Sequence, residues 1–565
     1  MKSQGIDCSD ALEITHSLDQ GISVYAKCDL EEGDVVATIP KDSCLTVKTS
    51  GAKDIIEEYG FEGPLGLSFA LMYEISLGHA SPWAPYLHLL PNSESLPLVW
   101  SLDEVDSLLS GTEIHKVRFV ESFVLLVVIL MLDSDVGLWQ IVKEDKALIY
   151  DDWKENILPL MDSTSLKLSP DFFGVEQYIA AKSLVASRSF EVDDYHGFGM
   201  VPLADLRMTS NLLDNCCPRE VSFKNPLLHD IQMRFSPQTF LCSLVLDKLG
   251  GLMEDATWQG KTIGFLFCFN HKTGAENVHF TTELSHGDSD NDTDNNDEGN
   301  NMSDNKPLPQ NSFDDGNLED PSYLGNDSMI LETIIVKSVK AGDEVFNTYG
   351  SMGNAGLLHR YGFTEPDNPN DIVNIDLELV LHWSSALFSG RHSRGRLSLW
   401  RRLDYHGCVS QNSEYFEISS NGEPEIELLI LLYIMLLPEE AYNKLDLIVS
   451  TAGNLNEMVI SLERGMIPFG KTSEISKELL LTKSVCDALL ALADARESLY
   501  GSNSVDDIDA LRSCCISDQK LYHSLMLRVS ERMILKKLRT YAATAAARSH
   551  PTAKGTLSRK KLKRT

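Results

Sequence analysis

Tyr349 and Tyr361 share one stretch, Ala341 to Phe363, which reads AGDEVFNTYGSMGNAGLLHRYGF. Ala341-Gly342-Asp343 has turn chemistry, Glu344-Val345-Phe346 alternates as a half-buried strand does, and Asn347-Thr348-Tyr349-Gly350 breaks that strand. The break leaves a phenol at a strand end, where its hydroxyl can orient a reacting group. Tyr361 supplies a second ring, whose face tolerates a cation. A tyrosine alone is ordinarily a core aromatic with a wetted hydroxyl, and His271 or Arg188 alone would more often be structural. What changes the reading is the company these residues keep. Upstream stand DQGISVYAKCDLEEGDVVATIP (Asp19 to Pro40), SLVASRSF (Ser183 to Phe190), GFGMVPLAD (Gly197 to Asp205) and FNH (Phe269 to His271), in that order.

Taken together, these stretches resemble the SET-domain protein-lysine methyltransferases. The resemblance is to the subgroup that methylates the Rubisco large subunit, ribosomal proteins or an NF-κB subunit. It implies an α+β fold in which SET-domain β-ribbons are split by a helical insert and followed by an all-helical, Rubisco-methyltransferase-type C-terminal domain. It also implies S-adenosylmethionine as cofactor and a non-histone protein as substrate. Carried over position by position, Tyr349 is the catalytic residue and also touches the cofactor. Gln20, Gly21 and Ile22 hold the cofactor through backbone, where glycine permits close approach; relatives often have glutamate at the position of Gln20. Arg188 pairs with the cofactor's carboxylate, and Asp205, Asn270 and His271 complete the cofactor site. Tyr361 and Phe190 form the substrate channel.

The chemistry implied is in-line displacement on a sulfonium methyl, which needs alignment and exclusion of water rather than a metal. Lysine enters with a pKa of about 10.4, so desolvation and nearby positive charge must favour the neutral amine. Two alternatives stay open at this point: a histidine methyltransferase of the same fold, and a non-catalytic product whose insertions disrupt the cofactor site.

Those residues need elements to position them. Ile22 to Ala26 alternates, Glu32-Gly33-Asp34 turns, and Val35 to Ile39 is a β-branched run closed by Pro40. From Leu65 to Lys182 the pattern is helical around a SPWAPYLHLLP corner, and Phe172 to Val185 reads as one helix. Ile372 to Ala547 reads as helices throughout, notably Ile426 to Leu437, Lys477 to Leu499 and Lys520 to Ala547. The expected organisation is an N-terminal SET portion at 1–50, a helical insert at 51–185, a C-terminal SET portion at 186–371, a helical substrate-binding-type domain at 372–547 and a basic tail at 548–565.

Three stretches sit oddly in that scheme. Val117 to Gln140 holds a ten-residue apolar run, Phe123 to Leu132, against the ~20 residues that a membrane helix needs. Codons available at Lys116, Val117 and Gln140 would fit intron borders, which suggests a translated, retained intron. Arg207 to Cys268 interrupts the cofactor motif between VPLADL and FNH. The acidic run within 285–328 cannot bury enough apolar surface to fold and reads as a disordered loop.

Composition narrows the partners. The chain has 565 residues, 43% of them hydrophobic, and a net charge of −34, enough for several cores and unsuited to nucleic-acid phosphates. Its eleven cysteines are an odd set with no CxxC pair, so neither a zinc site nor a disulfide framework is expected. Neither a signal nor a transit peptide is visible at the acidic start, and SRKKLKRT at Ser558 to Thr565 is either a nuclear-import signal or a solvated tail. The expectation is a nuclear or nucleocytoplasmic monomer that engages a protein substrate, with no membrane and no nucleic acid.

Overall fold

The computed structural model describes residues 5–17, 21–115, 141–161, 166, 168–202, 269–281, 329–403, 415–451, 459–462, 465–468, 477–501, 504–515 and 517–549. Gln20, Asp205, Val117 to Gln140, Arg207 to Cys268, the acidic run and Ser558 to Thr565 lie outside these residues.

Alternation in the N-terminal segment becomes a set of small sheets. Strand β1 (Asp7–Cys8) is followed by a hairpin of β2 (Leu12–Ser17) and β3 (Gly21–Ala26), in which Leu12 faces Ala26 and Ser17 faces Gly21. Next come β4 (Val35–Pro40) and β5 (Leu45–Thr46). After the helical insert follow β6 (Ser189–Asp193), β7 (Gly197–Met200), β8 (Asn270–His271), β9 (Val278–Thr281), β10 (Ile330–Ile335) and β11 (Phe346–Asn347). One sheet runs β1-β4-β10-β9, another β5-β7-β6, and β8 pairs with β11 in parallel. Strand β10 alternates buried and open positions, with Leu331, Thr333 and Ile335 inward, as a strand with one face on a core must. That core joins Val24, Val36, Ile39, Val278, Leu331, Ile335 and Val345.

The insert packs helix Gly63–Leu77 against helix Val175–Arg188, burying Leu67, Leu71, Tyr178, Ala181 and Leu184 with Leu45 and Met200 of the strands. The single helix expected over Phe172 to Val185 is two, Pro170–Phe173 and Val175–Arg188, divided at Gly174. A Cβ there would lie 2.9 Å from the Pro170 carbonyl, so the turn closes only around a glycine.

The C-terminal region is not helical throughout. Strands β12 (Ile372–Asp376) and β13 (Tyr415–Ser419) pair antiparallel, as do β14 (Val459–Leu462) and β15 (Gly465–Pro468). Lys477–Leu480 and Lys483–Ser498 are separate helices, because Thr482 caps the second by accepting the Val485 N–H at 3.2 Å. Helix Ile426–Met435 is buried nearly all round, each Leu or Ile contributing about 1.5–3 kcal/mol. It packs with Lys483–Ser498 and the long helix Gln519–Ser549. A small cluster of Trp100, Ile114, Val142, Leu358 and Leu527 fastens the insert and helix Asn354–Tyr361 to that long helix.

A charged knot lies at the same junction. Arg496 donates to the Gly111 carbonyl at 2.7 Å and to Glu113 at 2.9 Å, while Glu531 accepts from the Glu113 N–H at 2.9 Å and from the Tyr500 hydroxyl at 2.6 Å. Burial, and next the Glu113 carboxylate, push the Glu531 carboxyl from 4.5 up to about 8. A raised folded-state value favours the protonated form, so this contribution to stability is complete below about pH 4.5 and drains as pH rises toward about 8. The thermal midpoint of Glu531→Gln should therefore fall less between pH 5 and pH 8.5 than that of the unaltered chain, as read by calorimetry across that range. Parallel curves would show that Glu531 does not titrate in the window.

Among the described residues no helix is long and apolar enough to cross a membrane, and no group of histidine, cysteine and carboxylate side chains could hold a metal.

Candidate functional site

The tyrosine-bearing segment is threaded between two others. Its first part runs beside β3: the Val345 N–H donates to the Val24 carbonyl at 2.8 Å and the Ala26 N–H to the Asp343 carbonyl at 3.0 Å. Phe346 and Asn347 then pair with Asn270 and His271. Asn347 was expected to break the strand; parallel pairing to β8 extends the strand through it instead, and only Thr348 and beyond leave the ladder. Tyr349 consequently emerges two residues past the pairing.

Its ring is enclosed by aromatic neighbours. The Tyr349 centroid lies 4.7 Å from Tyr361, 4.9 Å from His271 and 6.2 Å from Phe363, and its hydroxyl donates to the Phe269 carbonyl at 3.3 Å. Tyr361 closes helix Asn354–Tyr361, and Gly362 follows in the left-handed region at φ 76. That conformation, and the 2.9 Å between a would-be Cβ and the Ser95 carbonyl, make glycine necessary there. The turn swings Phe363 back onto the same cluster, 6.3 Å from Tyr361. Burial pushes the Tyr361 phenol upward against the pull of Arg360, so it stays a neutral donor.

Tyr349 and Tyr361 open onto a cavity of about 790 Å³, whose lining also includes Arg188, Phe190, Phe280 and Asn347. Helix Val175–Arg188 delivers Arg188 and the adjoining β6 delivers Phe190, which stacks on Phe280 at 5.4 Å. Four expected site residues thus meet at one cavity: Tyr349, Tyr361, Phe190 and Arg188. Asn270 and His271 do not line it and stand behind Tyr349. The Asn270 amide donates to Glu344 at 2.7 Å and to Ser23 at 3.2 Å, which ties β8 to the hairpin holding Gly21 and Ile22. His271 accepts the Tyr349 N–H at its Nδ1, 2.9 Å away.

Several neighbours escaped the sequence. Glu94 pairs with Arg188, and both side chains are almost wholly buried. A guanidinium at a buried helix end requires such a partner, so an incoming carboxylate would share Arg188 with Glu94. No local pattern signals a pair so distant in the chain. Asp193 is held well below the usual carboxylate range: burial opposes this, and the Lys41 ammonium with the His196 N–H groups outweighs it. Around the cavity Glu191, Asp194 and Glu276 add acidity, and Glu191 and Asp194 are exposed.

No family model matches the chain. Curated relatives do. Over 374 residues the chain is 24% identical to ribosomal lysine N-methyltransferase 3 of Saccharomyces cerevisiae, covering 63% of this chain and 59% of that one. Over 433 residues it is 24% identical to N-lysine methyltransferase setd6 of Danio rerio, covering 74% of this chain and 67% of that one. Among solved structures, Rubisco LSMT bound to AdoMet aligns over 96% of this chain and 89% of that one at a TM-score of 0.50 and 15% identity.

Proposed function

We propose that this chain, a SET-domain protein of the Rubisco-LSMT-like subgroup, transfers methyl groups from S-adenosylmethionine to lysine ε-amines of a non-histone protein. The observation that carries the reading is the cavity at which Tyr349, Tyr361 and Phe190, from three separate stretches, converge. Its volume, about 790 Å³, lies within the range of ~300–1,000 Å³ that small-molecule sites occupy. Its chemistry suits cations at both ends of the reaction, with aromatic faces inside and Glu191, Asp194 and Glu276 around them.

S-adenosylmethionine, when bound, supplies an electrophilic methyl on a sulfonium. Gln20, Gly21, Ile22, Arg188, Asp205 and Tyr349 are the residues assigned to hold it, and Asn270 and His271, whose side chains are committed to Glu344, Ser23, Tyr349 and Thr273, are assigned to it through their backbone. The Tyr349 hydroxyl, close to the Phe269 carbonyl, orients the amine that attacks. Tyr361 and Phe190 wall the lysine channel and exclude water, which disfavours the ammonium and presents the amine in its neutral form. Residues 372–547 serve as the domain that engages the substrate protein, and Ser558 to Thr565 is assigned to nuclear import. The protein acts as a monomer, without membrane or nucleic acid.

The test is incubation of the purified chain with methyl-labelled S-adenosylmethionine and cell extract, followed by hydrolysis of the labelled protein. Methyllysine is expected. Methylhistidine alone, or no incorporated label, overturns the proposal.

A further inference from the structure

We propose that Thr273 and Glu365 are positioning residues for methyl transfer: they fix the His271 ring, which in turn sets the Tyr349 phenol, and tie it to the C-terminal helix Gln519–Ser549. The inference rests on the reading of Tyr349 given above.

The hydrogen bonds form one continuous chain. Because His271 Nδ1 accepts the Tyr349 N–H at 2.9 Å, the ring proton resides on Nε2, which donates to Thr273 Oγ1 at 3.2 Å. Thr273 then donates twice to one carboxylate, from its hydroxyl to Glu365 Oε2 at 2.6 Å and from its N–H to Glu365 Oε1 at 3.1 Å. With both carboxylate oxygens engaged, the threonine hydroxyl has a fixed direction, and so has the imidazole it accepts from. Glu365 is clamped in its turn. Its N–H donates to Asn354 Oδ1 at 2.7 Å, and its carbonyl accepts from Asn354 Nδ2 at 2.9 Å. Asn354 is fully buried and donates to Asp371 from its N–H at 2.5 Å and from its side chain at 2.8 Å. Asp371 finally accepts the hydroxyl of Ser530 on the long helix.

The imidazole matters because it is a wall as well as a hydrogen-bond partner. Its side chain is 1% exposed, and its ring is stacked on Tyr349 at 4.9 Å with 30° between planes. A rotated imidazole would therefore tilt the phenol and shift its hydroxyl. Displacement on the order of 1 Å at a reacting group costs about 10²-fold in rate. Buried polar chains of this kind are stiff when every member is satisfied and fail as a unit when one is removed.

Thr273→Val keeps the shape and removes the hydroxyl; Thr273→Ser restores it. With a synthetic peptide bearing one lysine between arginines as acceptor, Thr273→Val should lower kcat by roughly 10-fold to 100-fold while KM stays within about threefold, and Thr273→Ser should return kcat. A role confined to stability would lower the melting temperature and leave kcat of the folded fraction unchanged. A second reading needs no methyl transfer. In protein labelled with 13C-tyrosine, the Tyr349 ring signal, assigned through Tyr349→Phe, should move in Thr273→Val and return in Thr273→Ser. If the unaltered chain methylates nothing, the proposed function fails and this signal alone decides the positioning role. Should Thr273→Val not fold, Glu365→Gln, which can accept only one of the two Thr273 bonds, carries the same comparison. An unmoved Tyr349 signal, or an unchanged kcat in a folded variant, overturns the inference.

Discussion

Tyr349→Phe should fold as the unaltered chain does and lose methyl transfer by roughly 10²–10³-fold, the order of loss that follows removal of one preorganised hydrogen-bonding group at a reacting centre. The substitution deletes a single oxygen. Stacking on His271 at 4.9 Å and on Tyr361 at 4.7 Å involves the ring alone, so packing survives. The hydroxyl lies 3.3 Å from the carbonyl of Phe269, the residue that precedes β8. Losing that bond costs about 0.5–1.5 kcal/mol of stability, less than the roughly 2.7–4 kcal/mol that the rate loss represents. Thermal denaturation and single-turnover transfer on the same preparation separate the two effects. A variant that turns over normally would remove Tyr349 from the chemistry, and one that unfolds would make it a core residue.

The second large effect is on stability. Arg496→Met should destabilise the protein by roughly 3–5 kcal/mol, because it strands the buried carboxylate of Glu113, the charged partner of Arg496, while burial keeps Glu531 protonated. Arg496 is 0% exposed, and Glu113 and Glu531 are 8% and 1% exposed, so water cannot take over its role. At about 2–4 °C per kcal/mol, the unfolding midpoint should drop by roughly 6–20 °C. Uncompensated charge makes a further prediction that a simple cavity does not. Adding Glu113→Gln to Arg496→Met should recover part of the loss, since the stranded charge is then gone while the acceptor for the Asn374 N–H is kept. Calorimetry on the single and double variants decides this. A single variant within about 1 kcal/mol of the unaltered chain would mean that the knot is poorly coupled to the fold.

What was legible in the sequence was local. The alternation of Ile22 to Ala26 and the β-branched run of Val35 to Ile39, closed by Pro40, became β3 and β4, because a period of two reports burial on one face and β-branched side chains fit a pleated surface. Tyr349, Tyr361, Phe190 and Arg188 could be named together only because the ordered set of motifs supplied a family. Nothing in their spacing shows that they share a cavity. The parts that escaped depend on pairings across the chain. Strand β8 is two residues long and exists through parallel pairing with β11, which no periodicity can announce. Glu94 finds Arg188, Glu113 finds Arg496, and Thr273 finds Glu365, each a pairing between separate elements whose partners are fixed by topology. Breaks at Gly174 and Thr482 were missed for a smaller reason. Apolar periodicity continues through both, and only the close approach to Pro170 and the capped Val485 amide show why one helix becomes two.

This chain is expected to build a cofactor site at the cavity around Tyr349 even though Arg207 to Cys268 separates two of the motifs assigned to that site. Titration of the full chain with S-adenosylmethionine in a calorimeter tests it most directly, since binding precedes any choice of substrate. Saturable one-to-one binding, competed by the demethylated product S-adenosylhomocysteine, is expected. Absence of binding at millimolar cofactor by a folded chain would contradict it.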